Sequence, residues 1–274
     1  MSDISVLVQM AAIMALVGAF SGVIAGLLGV GGGIVLVPAF FYIFTAMGYG
    51  GAQLMQLCVA TSLATIIFTS IRSVRGHNRK GAVDAEVLRD FAPGLILGAF
   101  AGVFAALYVS SFVLQIVFGT LGALVGLHMA LGNTAWRLAE HLPRGPMRHA
   151  LSLPLAFVSV LMGIGGGTFG VPLMTLYGVP IHRAVGTGSG FGVLIAVPSV
   201  LVFLFSPLTA GLLPPWQLGA VNIPTFLLVI AVSYVTTPYG VKLAHALDPG
   251  PLKRIFGIFL LLTALNMLRK ALLV

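Results

Sequence analysis

The chain has 274 residues, of which 59% are hydrophobic and only 7% charged. A soluble domain carries roughly 25% charged residues, so a water-soluble enzyme or binding module is excluded and an all-α polytopic membrane protein is expected. The net charge of +8 fits cytoplasmic loops obeying the positive-inside bias, and nucleic acid is not called for.

In chain order, residues 4–28 form a long apolar stretch with no basic region ahead of it, so it is expected to be retained rather than cleaved. It ends at a glycine run, Gly29-Val30-Gly31-Gly32-Gly33. Glycine removes side-chain bulk and helix propensity together, so a helix should break here. Residues 34–48 follow, spanning roughly 22 Å as a helix and so shorter than the roughly 30 Å hydrocarbon core. Residues 52–71 read as a full crossing, Arg72 to Gly81 as a basic surface loop, and 91–109 and 112–132 as two more crossings joined near Ser110-Ser111. The polar, breaker-rich stretch 133–148 reads as a linker.

After it the pattern restarts. Residues 149–162 are apolar, and a second glycine run, Gly163-Ile164-Gly165-Gly166-Gly167, precedes a short segment at 168–178. Crossings near 184–205, 216–237 and 252–270 follow, with an uncharged Pro/Gly-rich loop at 206–215. Proline follows each glycine run at the same distance, Pro38 and Pro172. Val59-Ala60-Thr61-Ser62 aligns with Val185-Gly186-Thr187-Gly188, Pro93 with Pro224, and Phe118-Gly119 with Phe256-Gly257. The shared order indicates an internal duplication, with repeats at 1–132 and 149–274. The basic loop 72–81 then corresponds to the uncharged loop 206–215. The positive-inside rule holds for both only if they lie on opposite faces, with 72–90 and 133–148 cytoplasmic and only Arg269 and Lys270 outside. Two inverted-topology repeats of some eight to ten helical segments are therefore expected in a cytoplasmic (inner) membrane. Whether the short segments cross or fold back as re-entrant hairpins is left open by this count.

Unwound backbone survives in a membrane only where protein buries it or where it lines a wet cavity. Inverted repeats with broken helices are the architecture of secondary transporters, with the site near the midplane. The helices beginning at Ile34 and Thr168 would turn N–H groups and positive dipole ends toward an anion. The crossings hold no Asp or Glu near their centres, as a proton relay or cation site would require. The substrate-binding residues expected are Gly31, Gly32, Gly33, Gly165, Gly166 and Gly167, with hydroxyls from Thr61, Ser62, Thr187 and Ser189. Arg72 and Arg183 are candidates for drawing anions to a cytoplasmic mouth. Alanine at Gly32 or Gly166 is expected to leave the fold intact. Cys58 excludes an intramolecular disulfide and serves as a small packing residue. The six histidines (77, 128, 141, 149, 182 and 245) do not cluster at ligand spacing, so neither a metal nor a cofactor is expected. The expected partners are a small anion and the lipid bilayer, with a homodimer allowed. An intramembrane serine protease around Ser189 and His128 is disfavoured, because Gly-x-Ser-Gly needs glycine where this chain has Thr187.

The two glycine runs with their following prolines, the Ala60-Thr61-Ser62 stretch and the basic Arg75–Gly81 loop resemble the sulfite exporter TauE/SafE family over essentially the whole chain. The second half departs from the pattern, with Gly186-Thr187-Gly188-Ser189 in place of Ala-Thr-Ser. The resemblance implies a non-enzymatic membrane transporter exporting sulfite, sulfoacetate or related organosulfonates. An anion channel would share the same sequence features.

Overall fold

The protein is described from a computed structural model covering residues 2–131, 138–143, 145–246 and 249–273. Residues 132–137 and 144 of the expected linker region lie outside the described residues, as do the side chains of Lys253 and Phe256. Ten α-helices are described: α1 (Ser2–Leu28), α2 (Gly33–Ala46), α3 (Leu54–Asn78), α4 (Ala85–Tyr108), α5 (Ser111–Leu131), α6 (Pro146–Leu161), α7 (Gly167–Leu176), α8 (Ile181–Leu204), α9 (Ile223–Ala246) and α10 (Pro249–Leu272). A two-residue hairpin, β1 (Gln217–Leu218) and β2 (Val221–Asn222), leads into α9 and was not foreseen. Among the described residues, six helices (α1, α3, α4, α5, α8 and α9) are long and apolar enough to cross a membrane. Leu16, Phe104, Leu124, Leu201 and Leu227 are exposed on their outer faces. The chain is an all-α polytopic membrane protein.

Where lipid is as apolar as the helix, tight helix pairs rely on small residues that let backbones approach. On α1, Gly18 lies against Val229, Gly22 against Ser233 and Gly26 against Thr237 of α9. On α4, Gly94 lies against Ser152, Gly98 against Ala156 and Gly102 against Val160 of α6. In both pairs the numbers rise together, so α1 runs parallel to α9, and α6 parallel to α4. α5 and α10 pair antiparallel, Gly119 on Leu268 and Gly126 on Leu261. The central helices α3 and α8 pack on each other. Each half thus contributes its first helix to the other half's fourth.

These contacts give the course of the short helices. α1 starts at the end of the bundle where α9 starts, turns at the first glycine run, and α2 returns to that same end. There Gly50 pairs with Leu212, and the Thr209 and Ala210 N–H groups donate to Gln53. α6 starts at the opposite end beside α4, and α7 returns to it, where His182 at the start of α8 stacks on His245 at the end of α9. Both short helices fold back as the second arms of hairpins. α3 alone, with 25 residues, separates the two ends by about 37 Å.

Two sequence expectations are corrected. Residues 72–78 are helical rather than a surface loop, because α3 continues to Asn78. Ser73 and His77 are buried against α1, Arg72 lies over the Tyr234 ring of α9, and basic residues in the last turn suit the negative end of the helix dipole. The Pro93–Pro224 match does not hold either: Pro93 is interior to α4, whereas Pro224 is in the first turn of α9. The equivalent caps are Asp84 and Asn222. Asp84 accepts from the Val87 N–H and Asn222 from the Thr225 N–H, each three residues on.

Candidate functional site

The two glycine runs meet back to back at the centre of the molecule. Gly29, Gly31 and Gly32 have φ of +67°, +75° and +84°, a left-handed backbone that turns α1 into α2 and that glycine adopts without strain. In the second run only Gly163 is left-handed, at +64°. The Gly165 N–H donates to the Val30 carbonyl at 3.2 Å. A Cβ on Gly167 would run into the Gly29 carbonyl oxygen, and one on Gly33 into that of Gly163. Every residue from Val30 to Pro38 and from Ser159 to Thr168 is buried.

Hydroxyls occupy the carbonyls freed by the two breaks. Ser62 donates to the Gly163 carbonyl at 2.8 Å, Thr69 to Gly31 at 3.0 Å and Ser21 to Gly32 at 3.2 Å. Ser189 pairs with Ser73 at 2.8 Å and lies beside Gly29. Thr61 and Thr187 instead serve helix starts, each accepting the backbone N–H of a cap residue: Thr61 from Asn222 at 3.0 Å and Thr187 from Asp84 at 2.9 Å. The structure therefore gathers the six glycines, Ser62 and Ser189 in one layer. Thr61 and Thr187 anchor the starts of α9 and α4, Arg72 lies over the Tyr234 ring, and Arg183 is exposed one residue past His182.

A cavity of about 50 Å³ opens beside this layer, between α1, α7, α8 and α9. Leu28, Val30, Gly167, Thr168 and Val185 form its inner end, and Thr175, Ile181 and His182 lie toward the basic end of the bundle. Thr168 is 1% exposed, and its hydroxyl has no hydrogen-bond partner among the described residues. Such a group costs about 1–3 kcal/mol unless something occupies the site. The first turn of α7 adds its dipole. The Thr168 and Gly170 N–H groups fold back onto Gly165 and Gly166, while that of Gly167 makes no such bond among the described residues. Ser70, also buried and unpartnered among the described residues, sits against Gly31 and Gly192 and does not line this cavity. A second, open cavity of about 390 Å³ lies at the other end of the bundle, lined by Thr45, Tyr49, Ser110, Ser111, Gln115 and Lys270 among others. Among the described residues, no Asp or Glu lines either cavity.

Thr168 follows directly on Gly167, but nothing in the sequence distinguishes it, since its counterpart after Gly33 is Ile34. Histidines that show no ligand spacing in the sequence are brought together by the fold. His77, His182 and His245 come together from three helices, His77 Nδ1 lying 3.1 Å from His245 Nε2 and the His245 ring stacked on His182.

Broken helices meeting at the centre of an apolar bundle, with a mainly apolar cavity holding the Thr168 hydroxyl at one break, define a membrane transporter rather than an enzyme. The chain belongs to the sulfite exporter TauE/SafE family, whose family model matches residues 14–267. A probable membrane transporter protein of Haemophilus influenzae is 30% identical to it over 93% of this chain and 97% of the relative. One from Methanocaldococcus jannaschii is 24% identical over 91% and 95%, respectively. No solved structure matches the chain.

Proposed function

We propose that this transporter exports small sulfur-containing anions, sulfite, sulfoacetate or related organosulfonates, across the cytoplasmic membrane, and that its halves are inverted-topology repeats. The observation that carries the anion reading is the buried Thr168 hydroxyl at the N-terminus of α7, unpartnered in a cavity with no carboxylate among the described residues of its wall. The helix dipole and the hydroxyl both favour negative charge. The sulfur oxyanions come from the family. The symmetric pairing of α1 with α9 and α4 with α6 supports the repeats, as do the matched cap bonds of Thr61 and Thr187. A buried layer, including Ile34, Leu36, Val59 and Ile164, separates the two cavities, which favours alternating access over a channel.

Reconstituted protein should exchange labelled sulfite against internal sulfite in saturable counterflow. Sulfoacetate should compete, and taurine should compete less well because its ammonium meets the positive end of α7. Linear, non-exchanging flux would sink the transporter reading, and stronger competition by taurine would sink the anion cradle. The orientation has its own check. Single cysteines at Asn78 and Thr209, in a Cys58→Ser background, should label from opposite faces of the membrane, Asn78 from the cytoplasm. Labelling of both from one side is incompatible with the repeats.

A further inference from the structure

The histidine cluster lies between the basic end of the bundle and the first glycine break. His77 Nε2 is 2.7 Å from the Gly26 carbonyl oxygen, three residues before Gly29. A carbonyl only accepts, so Nε2 carries a proton and donates it, and in the neutral ring Nδ1 is bare. His245 Nε2–H therefore donates to His77 Nδ1 across the 3.1 Å contact, which leaves His245 Nδ1 bare. His182, stacked on His245 with ring centroids 5.4 Å apart, is exposed and lines the cavity beside Thr168. The result is a directional chain from the surface, through His245 and His77, to the backbone of α1.

We propose that His77, His245 and His182 form a proton-binding chain that sets how firmly the end of α1 is held beside the glycine break, and so serves as the coupling-ion site of the transporter. The coupling role rests on the transport reading above. A proton arriving at His245 Nδ1 displaces the Nε2 proton onto His77 Nδ1. One proton is taken up, no electrons move, and the charge comes to rest on His77. The His77 imidazolium then donates to Gly26 through a charge-assisted bond, roughly twice as strong as a neutral one. Protonation thereby tightens α1 against α3, and loss of the proton frees it.

The charged groups around the cluster are cations, which oppose proton uptake, and no fixed ion pair holds the histidines among the described residues. Lys80, just beyond α3, acts on His245, and Arg183 neighbours His182 on α8. On α9, Lys242 lies over the Tyr239 ring. α1 offers no titratable group between Gly22 and Leu28. The Asp84 carboxylate at the start of α4 holds the Val87 N–H. No described carboxylate forms an ion pair with any of the three histidines.

The test needs no anion, so its outcome is independent of the sulfite counterflow result. Val30→Cys, in a Cys58→Ser background, places a thiol at the inner end of the cavity, where methyl methanethiosulfonate reports opening of the break. The same cysteine with His77→Gln, which keeps a donor for Gly26 but takes up no proton, supplies the thiol's own pH dependence. The ratio of the two labelling rates should be higher at about pH 7 and fall about three- to tenfold by about pH 4, because a buried imidazole takes up its charge below the ordinary histidine window. If His77→Gln does not give a monodisperse protein, the exposed Ser110→Cys serves as the reference instead, and the same fall is expected. A ratio that stays flat, or that rises toward acid pH, overturns the proposal.

Discussion

Gly167→Ala should leave little folded protein. The added methyl has nowhere to go: it meets the Gly29 carbonyl oxygen and then the Val30 Cα, and both belong to backbone that the second break already grips through the Gly165–Val30 hydrogen bond. Overpacking a filled interior costs about 1–3 kcal/mol where side chains can shift, and backbone on both sides puts this case at the upper end. Gly33→Ala should behave alike, because its methyl meets the Gly163 carbonyl. Gly50→Ala, whose methyl points into open space, should melt with the wild type. Thermal unfolding in detergent compares the three. A normal melting temperature for Gly167→Ala would mean that the two breaks do not touch. The expectation that alanine at Gly32 or Gly166 leaves the fold intact is revised on the same grounds. Gly32 is left-handed with Ser21 in the way, and Phe191 blocks Gly166.

Thr168→Val should separate stability from transport. Valine keeps the shape of threonine and removes a hydroxyl that is buried without a partner. In the empty protein the change should be neutral or stabilising by about 1–3 kcal/mol, the cost of leaving such a group unmade. Sulfite counterflow should nevertheless fall, about tenfold or more, if that hydroxyl donates to the anion, since a hydrogen bond to a charged group contributes about 1.5–3 kcal/mol. Thr168→Ser should retain most of the exchange. Melting curves and counterflow on the same preparation decide it. A destabilised but fully active Thr168→Val would make the residue a packing element and move the site elsewhere.

These two residues also mark how far the sequence could be read. The breaks were legible because five residues rich in glycine cannot sustain a helix in lipid whatever the tertiary context. Their mutual contact was not legible, because it depends on α1 docking on α9 and α6 on α4, which no local pattern encodes. α3 was cut short at Arg72 because charge reads as surface. In the fold, Arg72 lies along Tyr234, and Ser73 and His77 turn inward to α1 carbonyls, so the helix runs on. His77, His182 and His245 lie too far apart in the chain for spacing to join them. Thr168 was plainly visible, but a threonine that opens a helix ordinarily finds a partner, and its lack of one appears only in three dimensions.

The bonds from Thr61 to Asn222 and from Thr187 to Asp84 bear on how the protein is made. Each central helix supplies the acceptor that closes the start of a helix in the opposite half. When the ribosome has delivered α1 to α5 to the bilayer, the Asp84 N–H still lacks Thr187, and the glycine faces of α1 and α4 still lack α9 and α6. The early helices must therefore wait in the membrane, loosely associated, until α8 and α9 have been inserted. Biogenesis ends in one late locking step, and a chain truncated before α9 would be left for quality-control proteolysis rather than survive as a half-transporter.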